Sequence, residues 1–409
     1  MRASSVFRSI LAICACSLGL SLAGASALGQ DVGADVGGGA GIFRPKNPEI
    51  KKRTVRTSPS TRRGTRTTTA AGSASEDRIN DLLEKGNQLR DERRFVEAET
   101  SYQGVFKINA TDGRAAYGLG NIYSDQQRWE EAETAYRNAV LWSPSSVDAL
   151  VALSVVLVQP RTGAGNAKRF ADAEGFARRA VQLDPKNAIA WDRLGVALQA
   201  RGLFNNETES VYRRAVELDP NFPVAYTHLA RVVKRLGRAD EAAPLYDKAT
   251  ELAKDPATLN LIAESLQAEQ QWLNSEPVLK RALDLDARNP TALYLMGRML
   301  VVLKRYGEAE PYLKLATEVS PRAFQPVNLL ARAYLALDRF EEAELSYEKA
   351  AEVASDGDRK QLAGAYGFEG VGDGYLKAKK KPSAARAYAR ALQLDPGNKQ
   401  LEQKLAKAH

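Results

Sequence analysis

The stretch Ala115–Pro144, AAYGLGNIYSDQQRWEEAETAYRNAVLWSP, decides the fold, because its alternation of small and large side chains recurs along most of the chain. Gly120, Ala132 and Ala139 sit among Leu119, Tyr123, Trp129 and Tyr136, and Pro144 closes the unit. Two short antiparallel helices need that alternation. Where they cross, a side chain larger than a methyl would hold the backbones apart, while aromatics fill the gaps on either side.

The position of Ala132 is taken in successive units by Ala98, Ala132, Ala173, Thr208, Ala242, Ser275, Ala309, Ala343 and Ala384, with steps of 34, 41, 35, 34, 33, 34, 34 and 41 residues. A position early in each first helix is taken by Leu82, Ala116, Leu150, Trp191, Tyr226, Leu259, Leu293, Val327 and Phe368, large in all but the second. Leu119-Gly120 and Leu194-Gly195 repeat as pairs, and Tyr102, Tyr136, Tyr212, Tyr246, Tyr347 and Tyr388 mark second helices. From Ile79 to Asn398 this pattern resembles the tetratricopeptide repeat family. The resemblance implies an all-α, right-handed superhelical solenoid of about nine helix-turn-helix repeats. Departures are local: Ala110, Lys254, Ala287 and Ser355 replace the closing proline, Thr208 and Ser275 the small alanine, and Lys381 the usual aromatic.

By length alone, 409 residues suggest two or three ordinary domains. The repeat overrides that expectation, since each unit of a solenoid buries its apolar face against its neighbours and no single central core is needed. The organisation expected is a signal over 1–27, a disordered basic linker over 28–75 and the solenoid over 76–409, helical from about Asp77. Asn398 to His409, with Leu401 and Leu405 four apart, reads as the capping helix that a solenoid end requires.

Arg2 and Arg8, the uncharged run after them and Ala25-Ser26-Ala27 read as a cleaved secretory signal, so the expected location is exported, periplasmic or secreted. The stretch is rich in Ser, Gly and Ala and would make a weak membrane anchor. It holds both cysteines, Cys14 and Cys16, so the mature chain would have no disulfide, thiol nucleophile or zinc-thiolate site.

The linker carries Arg44, Lys46, Lys51, Lys52, Arg53, Arg56, Arg62, Arg63 and Arg66 against Asp31, Asp35 and Glu49. With Arg2 and Arg8 it accounts for the whole net charge of +8, leaving the repeats formally neutral. One reading is a solvated spacer. The other is a binder of an anionic surface, polymer or nucleic acid through 44–66. No aromatic follows Phe43 among these charges, so the stacking platform of a single-strand binder is missing.

Two insertions interrupt the period. Around Gln159 to Lys168, Pro160, Gly163 and Gly165 argue for a loop between the helices of the third repeat. Gly163, Gly165 and Lys168 resemble a phosphate cradle only superficially, since Arg169 follows the lysine where a Ser or Thr is needed. Between Ala354 and Gly364, Asp356 or Asp358 is placed to cap a ninth first helix that starts early.

Only His228 and His409 are present, without partners at ligand spacing, so no catalytic or metal site is expected and His228 reads as an ordinary, partly exposed residue. Glu130-Glu131 and Glu341-Glu342 lie at helix starts, where they favour the helix dipole. No cofactor, small-molecule substrate or enzymatic activity is expected, and nucleic acid is a weak candidate.

What the family resemblance implies is a non-catalytic interaction scaffold of the cell envelope, binding a protein or peptide in a groove lined by first helices. Their fifth and ninth positions lie four apart and share a face. Early in the chain that face reads Leu83, Asn87, Tyr117, Asn121, Val151, Val155, Asp192 and Val196; later it reads Thr227, Arg231, Asn260, Glu264, Tyr294, Arg298, Asn328, Arg332, Glu369 and Asp373. Arginine forks suit carboxylates and asparagine can hold an extended backbone. The expected peptide site is therefore Arg231, Asn260, Tyr294, Arg298, Asn328 and Arg332, with an acidic or C-terminal segment as ligand. The carboxylate clamp of chaperone-binding relatives is not expected, because Leu83 precedes Asn87.

Overall fold

The computed structural model describes residues 44–50, 67–159 and 165–409. The signal, most of the linker, Pro160 and Gly163 lie outside them. All regular structure among the described residues is helical, and it divides into two compact units at Leu245 and Tyr246.

In the first unit, α1 (Thr67–Asp91) pairs with α2 (Phe95–Phe106), α3 (Gly113–Asp125) with α4 (Trp129–Trp142), α5 (Val147–Leu157) with α6 (Asn166–Leu183) and α7 (Ala188–Ala200) with α8 (Asn206–Leu218). Next come α9 (Pro223–Arg235) and α10 (Ala239–Leu252), in which the boundary falls. The second unit holds the pairs α11 (Pro256–Ala268) and α12 (Trp272–Leu285), α13 (Pro290–Val302) and α14 (Tyr306–Val319), and α15 (Phe324–Ala336) and α16 (Phe340–Val353). A short α17 (Asp356–Ala363) precedes the last pair, α18 (Phe368–Lys377) and α19 (Lys381–Leu394), and α20 (Lys399–Ala408) ends the chain.

Local chemistry sets these boundaries. Asp112, Ser146, Asn187, Asp255 and Asn289 accept backbone N–H groups at the starts of α3, α5, α7, α11 and α13, which satisfies donors that a helix leaves open. The turns into several second helices pass through a left-handed residue: Arg93, Gln127, Gln270, Lys304, Asp338 and Lys379 all have φ between 57° and 61°.

The register read from the sequence holds at every repeat. Ala98, Ala132, Ala173, Thr208, Ser275, Ala309, Ala343 and Ala384 are completely buried, and Ala242 is 1% exposed. Gly120 shows why the small residues are needed: a Cβ there would lie 2.5 Å from the Tyr136 ring. Core packing is continuous from repeat to repeat within the first unit, with no single centre.

Three boundaries differ from the sequence reading. α1 starts at Thr67, inside the stretch assigned to the linker. α6 starts at Asn166, after Gly165 at φ 114°, so Lys168 is helical where a loop was expected. The second insertion forms the separate helix α17, in which Ser355 is the cap and Asp358 the reciprocal third residue of a capping box. It cannot run on into α18, because the chain turns sharply there: a Cβ on Gly367 would lie 2.0 Å from the Leu362 carbonyl oxygen.

The cap expected at the C-terminus is present as α20, with Asn398 accepting from Gln400 N and Leu401 N and with Leu401 buried. No helix among the described residues is long and apolar enough to cross a membrane.

Candidate peptide-binding groove

Asn87 on α1 and Asn121 on α3 occupy the same position one repeat apart, and each is oriented by a tyrosine of its own second helix. Tyr102 donates its hydroxyl to Asn87 Oδ1 at 2.7 Å, and Tyr136 donates to Asn121 Oδ1 at 2.9 Å. Burial pushes the pKa of both hydroxyls up, so they stay protonated and act as donors. With each carbonyl oxygen engaged, the amide nitrogens face outward across the first-helix surface.

What they meet is the protein's own residues 44–50. Asn121 Nδ2 donates to the Lys46 carbonyl at 2.8 Å and Asn87 Nδ2 to the Pro48 carbonyl at 3.1 Å. Pro45 and Pro48 fix φ and press Arg44 and Asn47 into extended geometry, which leaves these carbonyls free to point at the groove. Both prolines are buried. Composition alone reads this segment as disordered linker; it lies docked on the first two repeats.

Between the asparagines, Arg90 is only 1% exposed. Its Nε and Nη2 grip the Asp125 carboxylate at 2.7 and 3.0 Å, while Nη1 donates to the Pro45 carbonyl at 2.8 Å and to Asn47 Oδ1 at 2.9 Å. Burial is the largest single influence and opposes the charge on this guanidinium, but the hydrogen bond and the charge of Asp125 together more than offset it and leave the pKa raised. Asp91 completes the set, accepting from Asn47 Nδ2 at 3.0 Å and from Arg44 Nη2 at 2.9 Å. Lys46 is within electrostatic reach of Asp148, a half-buried carboxyl whose pKa burial raises.

The residues expected from sequence to bind peptide fall in both units. Arg231, in the first, is 5% exposed and donates to Gln199 Oε1. In the second, Asn260 is 7% exposed, donates to Asn289 Oδ1 at 2.9 Å and keeps a buried Oδ1 with no partner. Arg298 lies 5.5 Å from the centre of the Tyr294 ring and donates to Gln267 Oε1 at 2.9 Å, so those two residues come together. Arg332 is placed over Tyr366 at 5.0 Å, and Asn328 is 3% exposed. Near the C-terminus the same face is closed by α20, whose Lys404 pairs with Glu369 at 2.8 Å and Asp373 at 2.7 Å.

His228 corrects the sequence reading. It is 4% exposed, not partly exposed, and its Nδ1 lies 2.8 Å from Asp192 Oδ1. Burial holds the imidazole pKa below its ordinary value, so it packs as a neutral ring against a charged Asp192 that also contacts Arg193 Nε at 3.2 Å. No group of three or more His, Cys, Asp or Glu among the described residues is arranged to hold a metal.

Nothing in the sequence singles out Arg90, Asp91 or Asp125, and composition reads 44–50 as linker. Pro45-Lys46-Asn47-Pro48 carried the one available signal, a pair of prolines that imposes an extended chain.

Tetratricopeptide repeat models match residues 83–159 and 260–325 and, in a second form, residues 223–256 and 325–356. No curated protein matches the chain. Among solved structures, the thermophilic TPR protein TTC0263 of Thermus thermophilus is 23% identical over 47% of this chain and 99% of its own, with a TM-score of 0.39. A crystal structure of MamA is 22% identical over 41% of this chain and 93% of its own, TM-score 0.36. MamA 41-end from Desulfovibrio magneticus RS-1 is 19% identical over 43% and 95%, TM-score 0.37. With the family's pattern matched in both units and every crossing residue in register, the chain belongs to the tetratricopeptide repeat family.

Proposed function

We propose that the protein is a non-catalytic scaffold of the cell envelope that holds an extended protein or peptide segment along the first-helix face of its repeats. The observation that carries this reading is the pair Asn87 and Asn121, which already grip the backbone carbonyls of an extended chain. Carbonyl recognition is independent of side chain, so the same device serves a ligand supplied from outside. In the second unit the site proposed is Asn260, Tyr294, Arg298, Asn328 and Arg332, and its arginines favour an acidic or C-terminal segment. Arg231 belongs to the same proposal for the first unit.

Export is part of the proposal and rests on the sequence of 1–27. Intact mass of the envelope fraction tests it: a mature chain beginning at Leu28 supports export, and a chain retaining Met1 removes it. For the binding site, affinity capture from the protein's own cells with the full chain is compared with Arg298→Glu/Arg332→Glu. Lost capture at unchanged helicity supports the site, and undiminished capture refutes it.

The alternative, an anionic-polymer binder acting through the basic linker, is less favoured at Arg44 and Lys46. Arg44 is paired with Asp91 and lies 4.0 Å from Asp125, and Lys46 is within electrostatic reach of Asp148.

A further inference from the structure

We infer that the groove over α1 and α3 is a sequence-selective site for a basic, proline-flanked segment of the form Arg-Pro-x-Asn-Pro, and that residues 44–50 are its built-in occupant, blocking it against the same chemistry on a partner protein. The inference rests on the reading of the first-helix face as peptide-binding and deepens it for the first two repeats.

Backbone contacts alone would take any extended chain; the side-chain contacts select. Asn47 is read at both ends of its amide, with Arg90 Nη1 donating to Oδ1 and Asp91 Oδ2 accepting from Nδ2. A carboxylate cannot reproduce that pair, because it offers no donor to Asp91 and sets charge against charge. Arg44 lies beside Asp91 at 2.9 Å and Asp125 at 4.0 Å, so the first position selects a cation. The two buried prolines supply apolar contact and an extended backbone whose ordering cost is already reduced.

Vacating the groove is unfavourable in a specific way. Arg90 Nη1 would lose both acceptors and be left to water while Nε and Nη2 stayed on Asp125, and a replacement segment bearing a carbonyl at that point restores the bond. A segment joined to its own site competes as if present at roughly millimolar concentration. The intact chain is therefore closed to weak external ligands and opens to one that matches the motif and is linked to further contacts.

The test uses a fluorescent synthetic peptide with the sequence of residues 44–50 and fluorescence anisotropy. The intact full chain is compared with the same chain carrying a glycine-serine replacement of residues 44–50. Binding at least roughly tenfold tighter to the replaced chain is expected, and a peptide carrying Asn47→Asp should lose most of that gain. Adding Asn121→Leu to the replaced chain should abolish binding while circular dichroism reports unchanged helicity. Equal affinity for intact and replaced chains would overturn the blocking role, and absence of binding to both would overturn recognition in the first two repeats. An Asn47→Asp peptide that binds as well as the parent would overturn the selectivity. Because Arg298 and Arg332 are untouched, none of these outcomes bears on the acidic-peptide site, which their own variant judges.

Discussion

Tyr136 Oη stands 2.9 Å from Asn121 Oδ1, and through that bond a core residue of one helix decides what a buried amide of another offers to the docked residues 44–50. The same pair recurs as Tyr102 and Asn87, and Tyr388 donates to Asp373 Oδ1 at 2.6 Å in the last repeat. In the fourth repeat the ninth-position residue is Val196, and the Tyr212 hydroxyl is buried without a partner. The motif that packs the repeat thus also arms its groove.

Replacing Tyr136 with Phe keeps the ring and removes the donor. Asn121 Oδ1 then loses its partner in a buried setting, which costs about 1–3 kcal/mol. Urea denaturation should show that loss. The emptied groove should also bind the 44–50 peptide more weakly, because the amide is no longer held with Nδ2 outward. Unchanged peptide affinity would separate the tyrosine's packing role from positioning.

Ala309→Leu should overpack one helix crossing and cost about 1–3 kcal/mol, since Ala309 is fully buried. Because stability in stacked repeats is close to a sum of local interfaces, exchange of amide hydrogens should quicken around α13 and α14 first. Loss spread evenly along the chain would argue against that locality.

Lys304 sits at φ 60° in the turn into α14, a left-handed conformation that a residue with a Cβ adopts at a cost. Lys304→Gly should therefore stabilise the protein, by roughly 1 kcal/mol in thermal or urea unfolding. A loss of stability would mean that the lysine's side chain contributes more than its backbone costs.

Glu310 gives the pH dependence its sign. Bonds from Arg339 at 2.5 Å and Lys314 at 2.6 Å hold its carboxyl at about 2, against 4.5 for a free glutamate. A depressed folded pKa contributes stability that is complete above about 4.5 and is lost as the pH falls toward about 2. The difference in urea midpoint between the parent and Glu310→Gln should shrink across that window and shrink further with added salt. A difference independent of pH would assign the effect to packing.

The fold was legible because its determinants are local and repeated: a methyl at each crossing, a tyrosine beside it and a capping residue before several first helices. The face on which residues 44–50 dock was legible in part for the same reason, since the ninth positions Asn87 and Asn121 follow from helical spacing alone. Residues 44–50 were not. Their basic composition reads as solvated, and what docks them is a set of acids and amides brought together by folding across more than one repeat. Arg90 was missed because a buried arginine is read from its partners, Asp125 and the Pro45 carbonyl, and neither is near it in sequence. His228 escapes the sequence for the same reason, a polar residue whose partner Asp192 lies a full repeat away.

Where residues 44–50 lie in the intact protein is measured most directly by a photocrosslinker placed there. Lys46 is exposed, so Lys46→p-benzoylphenylalanine leaves the prolines, Asn47 and the carbonyl contacts in place. After irradiation, the expected product is monomeric, with crosslinked peptides from α1, α3 and the start of α5 of the same chain. Adding Asn87→Leu/Asn121→Leu should disperse them. Crosslinks scattered over the surface of the parent chain, or unaffected by the double substitution, would contradict the docking of 44–50 on the first two repeats.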